Sequence, residues 1–152
     1  MLFRSPTKFA PSVARLVEAT KKSGRDVGAQ ILIMIIADET DEAAMAKWKH
    51  YNEGADMGAL AWMAGEANAD PNAADDGTAK RISAPEGAIN FNMGTLVGSY
   101  ATVARLLDEC ATVPATKGIM LTFDDFLIGM EQFGQRIQPL MKCRAAKLKQ
   151  VA

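Results

Sequence analysis

Asp124 and Asp125 are adjacent carboxylates that directly follow an apolar run, Gly118-Ile-Met-Leu-Thr-Phe123. Carboxylates at the end of a buried strand can move a proton, hold a cation, or accept a hydrogen bond from a ligand N–H. Adjacent residues project differently, so the plainer expectation is that one caps the following helix and the other is solvated. Thr122 adds a hydroxyl at the same strand end. A second acidic group, Asp38-Glu39 with Asp41-Glu42, follows the other apolar run. Its plainer reading is a set of first-turn helix acids, favoured there by the helix dipole.

The remaining chemistry-bearing residues offer less. His50 is the only histidine, and no cysteine or carboxylate lies near it at metal-ligand spacing, so no metal site is expected. One histidine also cannot support a Ser–His–Asp or Cys–His arrangement alongside other duties. Cys110 and Cys143 lie 33 residues apart without a CxxC pattern and read as structural thiols. Gly94-Thr-Leu-Val-Gly98-Ser99 resembles a phosphate-receiving loop before a helix N-terminus. It lacks the lysine of a P-loop and follows no predicted strand, so a turn with a helix cap is the simpler expectation.

The elements that must position these residues alternate between strands and helices. Helical spacing of Phe9, Val13, Leu16 and Val17 predicts a helix over 9–22, with Pro11 in its first turn and Gly24 as a left-handed stop. Ile31–Ala37 is an unbroken apolar run, the pattern of a strand buried on both faces of a parallel sheet. Thr40 is placed to cap a helix over 43–51, and an Ala/Met-rich helix follows over 58–67. Trp48, Tyr51, Leu60, Trp62 and Met63 supply their large apolar groups, and residues 68–88 read as a polar loop. Ser99 is the expected N-cap of a helix over 100–110 whose apolar face is Val103, Leu106 and Leu107. Pro114 ends it, 118–123 forms the second strand, and a last helix over 127–141 bends near Gly134 and Pro139. Two strands are thus expected, in parallel α/β order. Ligands of such folds sit beyond the carboxyl ends of the strands, which is where Thr122, Asp124 and Asp125 fall.

Composition excludes several classes. The chain has 152 residues, 49% hydrophobic and 23% charged, ordinary for a globular domain. Its net charge of −1 argues against a nucleic-acid partner held by bulk charge. Two cysteines exclude a disulfide framework. No apolar run approaches the roughly 20 residues of a membrane span, and the first residues lack the apolar core of a secretory signal. A cytoplasmic protein with no membrane contact is expected. Charge is uneven: residues 1–25 are basic, 38–76 carry ten acids against two Lys, and the stretch from Arg136 onward has five bases and no acid. Such blocks read mainly as solvated faces and tails.

Three stretches carry a specific resemblance. They are Gly24-Arg-Asp-Val-Gly-Ala-Gln-Ile-Leu-Ile-Met-Ile-Ile-Ala-Asp-Glu-Thr-Asp-Glu42, Asn90-Phe-Asn-Met-Gly-Thr-Leu-Val-Gly-Ser-Tyr-Ala-Thr-Val-Ala-Arg-Leu-Leu-Asp108, and Gly118-Ile-Met-Leu-Thr-Phe-Asp-Asp-Phe-Leu127 followed by Phe133-Gly-Gln-Arg-Ile-Gln-Pro-Leu-Met141. They resemble the flavin-dependent pyrimidine oxygenases of the Rut uracil-degradation pathway, within the bacterial-luciferase-like superfamily. The resemblance runs from about Phe9 to Arg144 and is weakest over 68–86.

It implies the C-terminal part of a (β/α)8 TIM barrel, namely its last two parallel strands with flanking helices and a helical insertion. It also implies reduced FMN as cofactor, dioxygen and a pyrimidine such as uracil or thymine as substrates, ring-opening oxygenation, and a separate NADH-dependent flavin reductase as partner. Excluding water from the cofactor is the physical role such an insertion serves. The family's FMN-binding residues lie in earlier strands, so none is carried over to this chain, and no catalytic residue is assigned.

The organisation implied is a helix and penultimate strand over 1–39, an insertion and lid loop over 40–93, a helix, last strand and last helix over 94–143, and a basic tail over 144–152. A full barrel runs to about 250 residues. The chain is therefore expected to be a piece, inactive alone and completed by the missing N-terminal part of the barrel. The alternative is a non-catalytic α/β binding or interaction module derived from such a barrel.

Overall fold

The computed structural model describes residues 9–67, 72 and 94–144. The polar loop expected over 68–88, Asn72 apart, and the basic tail beyond Arg144 lie outside them. Two compact units are present, one formed by residues 1–45 with 94–152 and the other by residues 46–93.

The first unit is built on a parallel sheet of three strands, β1 (Ala29–Asp38), β2 (Gly94–Ser99) and β3 (Thr116–Phe123). Their order is β2-β1-β3, so β1 is central. Its unbroken run of branched apolar residues suits that place, because a central parallel strand is covered on both faces. Ile33, Ile35, Ile36 and Ala37 are buried. The register aligns Ile35 with Leu96 and Ile36 with Val97 on one side, and Ile33 with Leu121 on the other.

Three helices belong wholly to this unit. Helix α1 (Ala10–Ser23) has Pro11 in its first turn and ends at Gly24, whose φ of 67° is left-handed and whose N–H donates to the Thr20 carbonyl. Helix α4 (Tyr100–Ala111) supplies Val103, Ala104, Leu106, Leu107 and Cys110 to a core shared with Ile33, Ile35, Ala37, Leu96 and Ile137. Each Val, Leu or Ile side chain among these contributes about 1.5–3 kcal/mol by leaving water. Helix α5 (Phe126–Gln132) continues through a π-helical turn, Phe133–Ile137, into a 3-10 turn, Gln138–Leu140. The regular α-helix expected to 141 is therefore broken from Phe133 onward, across Gly134 and Pro139.

Helix α2 (Asp41–Glu53) begins in the first unit and runs into the second, where α3 (Met57–Ala67) follows. Thr40 caps α2 as expected, its hydroxyl oxygen accepting from the Ala43 N–H at 3.1 Å. Trp48 is buried, whereas Trp62 and Met63 are exposed.

Two expectations are corrected. The sheet has three strands, not two: Gly94–Ser99 is not a turn but strand β2, paired with β1 from Ile33↔Gly94 to Asp38↔Ser99. Two glycines in six residues hide its strand character, which comes from pairing and burial against β1. The run ending at Phe123 is not a buried strand either. It is an edge strand with no fully buried residue, and Met120 is 58% exposed.

Candidate functional site

All three strands are parallel, so their carboxyl ends share one edge of the sheet. Asp38 closes β1 opposite Ser99, which closes β2. Glu39, Thr40 and Asp41 follow the first, and Tyr100 and Thr102 follow the second.

Asp41 bridges these two strand ends. Its Oδ1 accepts the Ser99 N–H at 2.6 Å and its Oδ2 accepts the Thr102 hydroxyl at 3.2 Å. Ser99 caps α4, its hydroxyl oxygen accepting the Thr102 N–H at 3.3 Å. The Ser99 N–H, then the Thr102 and Ser99 hydroxyls and the nearby Arg105 charge, hold the Asp41 carboxyl below the usual carboxylate range against a small cost of burial. Gly98 permits this close approach. A Cβ there would lie 2.7 Å from Thr102 Cγ2 and 3.1 Å from Asp41 Oδ1.

A second group sits beside it. Arg136, in the π-helical turn, places its guanidinium 5.0 Å from the centre of the Tyr100 ring. Its Nη2 lies 3.7 Å from Glu39 Oε1, and both side chains are largely exposed.

The residues expected from the sequence fall at the same edge. Thr122 is the penultimate residue of β3, and Asp124 follows the strand directly. Asp125 caps α5, its Oδ1 accepting the Ile128 N–H at 3.0 Å. That matches the plainer reading of the pair, in which one carboxylate serves as a helix cap. The Asp41 bridge was hidden behind its reading as a first-turn helix acid. Arg136 and Tyr100 were missed altogether, because only the folded π-helical turn brings them together.

Neither cysteine is activated as a thiolate by its surroundings. Burial, then the neighbouring Glu109 charge, pushes the Cys110 thiol up to about 11. Burial, then the Asp108 carboxylate, raises that of Cys143. His50 stands beside Tyr51 on α2. Among the described residues, no group of three or more His, Cys, Asp or Glu could hold a metal ion.

Comparison with known proteins decides the relationship. The chain is 62% identical over 144 residues to pyrimidine monooxygenase RutA of Bradyrhizobium sp. strain BTAi1. The chain is a homologue of the RutA proteins along nearly its whole length. The match to the Bradyrhizobium protein covers 95% of this chain and 40% of that protein. RutA of Klebsiella pneumoniae strain 342 is 57% identical over 140 residues, 92% of this chain and 39% of its own length. RutA of Escherichia coli strain SMS-3-5 is 57% identical over 141 residues, with 93% and 39% covered. The chain thus spans about two-fifths of the length of the RutA proteins it matches. No family model matches it.

The flavin that the RutA resemblance implies can be tested against these residues. Its phosphate would suit a helix N-terminus, and α4 offers one at this edge. That terminus is already filled: the Ser99 N–H points at the Asp41 carboxylate, which would repel a phosphate. The N-terminus of α4 therefore does not fit the phosphate of FMN. Among the described residues, no helix is long and apolar enough to cross a membrane.

Proposed function

We propose that this chain is the C-terminal portion of a cytoplasmic, flavin-dependent pyrimidine monooxygenase. The observation that carries the reading is the 62% identity to a RutA protein over 95% of the chain. In this reading reduced FMN, supplied by a separate NADH-dependent reductase, and dioxygen provide the oxidising chemistry that opens the pyrimidine ring. The flavin phosphate belongs to residues outside the described part. The carboxyl edge of the sheet faces the substrate, with Thr122, Asp124 and Asp125 as its candidate contacts. Thr122 offers a hydroxyl, and the carboxylates can accept from a ring N–H. By the same resemblance, residues 40–93 take the role of the insertion that keeps water from the cofactor.

The (β/α)8 barrel places a condition on this reading. Consecutive strands are neighbours in such a barrel, so β2 would lie between β1 and β3. Here β1 is central. Closure therefore requires β3 to exchange its pairing with β1 for pairing with β2.

The test is complementation. The N-terminal three-fifths of the Bradyrhizobium RutA is mixed with this chain, FMN, NADH and a flavin reductase, and uracil loss is followed. Uracil consumption that needs both pieces is expected. A stable complex without uracil turnover would overturn the reading. A double variant, Asp124→Ala with Asp125→Asn, should raise KM or lower kcat about tenfold if either carboxylate accepts from the ring N–H.

A further inference from the structure

We infer that β3 and α5, residues 116–132, form a unit that detaches reversibly from β1 while β1, β2 and α4 stay folded, hinged at Ala115 and at the π-helical turn. The inference rests on the enzyme reading only for what the detached strand then does, which is to exchange β1 for β2 when the barrel is completed.

The first joint holds three consecutive residues in poor settings. Ala115 has a φ of 64° and is the one described residue other than glycine with a positive φ. That region is strained for any residue with a Cβ. The Thr116 hydroxyl is buried and finds no hydrogen-bond partner among the described residues, so it has lost water without replacement. The register then slips: Ala29 pairs with Thr116 and Gln30 with Gly118, which skips Lys117. The Lys117 ammonium lies 2.8 Å from Asp26 Oδ2, but the side chains are 52% and 85% exposed, so this ion pair holds the strand weakly. Departure of β3 lets Ala115 leave the left-handed region and returns water to Thr116.

The second joint is the π-helical turn Phe133–Ile137, which runs into the 3-10 turn and interrupts the α-helical ladder. Beyond each joint the chain is pinned to α4. On one side Val113 is buried and donates its N–H to the Cys110 carbonyl at 3.3 Å. On the other, Ile137 is 1% exposed in the core with Leu106 and Leu107. Asp108 then accepts the Cys143 N–H at 2.9 Å and the Lys142 N–H at 3.0 Å.

Between these pins the hold on β1 is light. No residue of β3 is fully buried, and Ile119, Leu121 and Phe123 only border the core. Opening this unit therefore exposes less apolar surface than global unfolding. Helix α5 moves with β3 because Gly129 sits directly against Phe123, whose ring centre is 6.1 Å from that of Phe126.

Native-state hydrogen exchange of the purified chain in increasing urea, read residue by residue by NMR, tests the inference. The hydrogen-bonded amides of β3 and α5 should share one opening event with one urea dependence. They should exchange about a hundredfold faster than the slowest amides of β1, β2 and α4. The Lys142 and Cys143 amides, bound to Asp108, should keep the slow rate although they lie further along the chain. Ala115→Gly and Thr116→Val should each slow exchange of 116–132 about fivefold, because each relieves a cost that the closed state carries. Gly28→Ala should speed it about tenfold, since a Cβ there would strike Cβ and Cγ of Lys117.

The inference is overturned if 116–132 opens only together with β1 and β2, or if its amides fray one by one without urea dependence. Loss of protection at Lys142 and Cys143 along with α5 also overturns it, because the chain would then be fraying from its far end. So does exchange that neither Ala115→Gly nor Thr116→Val slows. Its failure is separable from that of the enzyme reading. Uracil turnover by the complemented enzyme without a separate opening of 116–132 sinks the inference alone. A separate opening without turnover sinks the enzyme reading alone.

Discussion

The two flanks of β1 are built to different standards. On the β2 side, Leu96 and Val97 are buried, α4 places five residues in the core, and each strand end is tied by a hydrogen bond. On the β3 side no strand residue is fully buried, and α5 exposes Phe126, Leu127, Ile128 and Met130, with Leu127 80% exposed. The same apolar composition thus does two jobs. On one flank it forms a packed interior, and on the other it leaves a surface with unspent hydrophobic driving force.

Truncation tests that contrast most sharply. Leu107→Ala or Ile35→Ala should cost about 2–5 kcal/mol in urea unfolding, because each leaves a cavity in a closed core. Leu127→Ala should stay within about 0.5 kcal/mol. A loss above 1 kcal/mol for Leu127→Ala would mean that the β3 flank is as well packed as the other.

Gly129 sharpens the comparison from the other direction. It is the buried residue of α5, and a Cβ there would strike the Phe123 side chain. Gly129→Ala should cost about 1–3 kcal/mol, the usual range for overpacking. The β3 flank then has one tight contact, where helix and strand meet, within an otherwise open surface.

The carboxylates provide a smaller, pH-dependent difference. Asp41 is lowered by its bonds to Ser99 and Thr102. For Asp108, burial acts upward, but the backbone N–H groups of Cys143 and Lys142 outweigh it and the carboxyl is lowered. A carboxyl lowered by folding stabilises the protein above its unfolded pKa, and that stability is lost as pH falls through the folded value. The urea midpoint should therefore fall between about pH 5 and pH 2, and Asp41→Asn with Asp108→Asn should flatten the slope. Asp41→Ala at pH 7 should cost about 1 kcal/mol, the scale of a lost helix cap.

The smallest effect concerns the thiols. With Cys110 held protonated to about pH 11 and buried, alkylation at pH 8 should modify Cys143 first and Cys110 only on unfolding. Equal rates for both in the native protein would show that α4 opens readily.

What the sequence revealed tracks how local each cause is. Thr40 and Ser99 were readable as caps, and so was one of the Asp124-Asp125 pair, because a cap needs only a short polar side chain and the next three residues. The central strand β1 was readable from its branched apolar run. Strand β2 was not, because Gly-Thr-Leu-Val-Gly-Ser becomes a strand only by pairing with a partner far away in sequence. The same holds for the site. Thr122, Asp124 and Asp125 could be placed by counting from a strand end, whereas Asp41 with Ser99, and Arg136 with Tyr100, are pairings made by the fold. Spacing along the chain carries no trace of them.

The central position of β1 also has a kinetic consequence. Among the described residues its two neighbours come later in the chain, and 55 residues, 39–93, separate its end from the start of β2. At synthesis rates of about 5–20 residues per second, β2 follows this ten-residue apolar strand about 3–11 s later. During that wait its backbone donors and acceptors are open to any other extended chain. Recovery of soluble protein should therefore depend on how fast β2 and α4 reach β1, and slowed translation of residues 39–93 should lower the yield without altering the final stability.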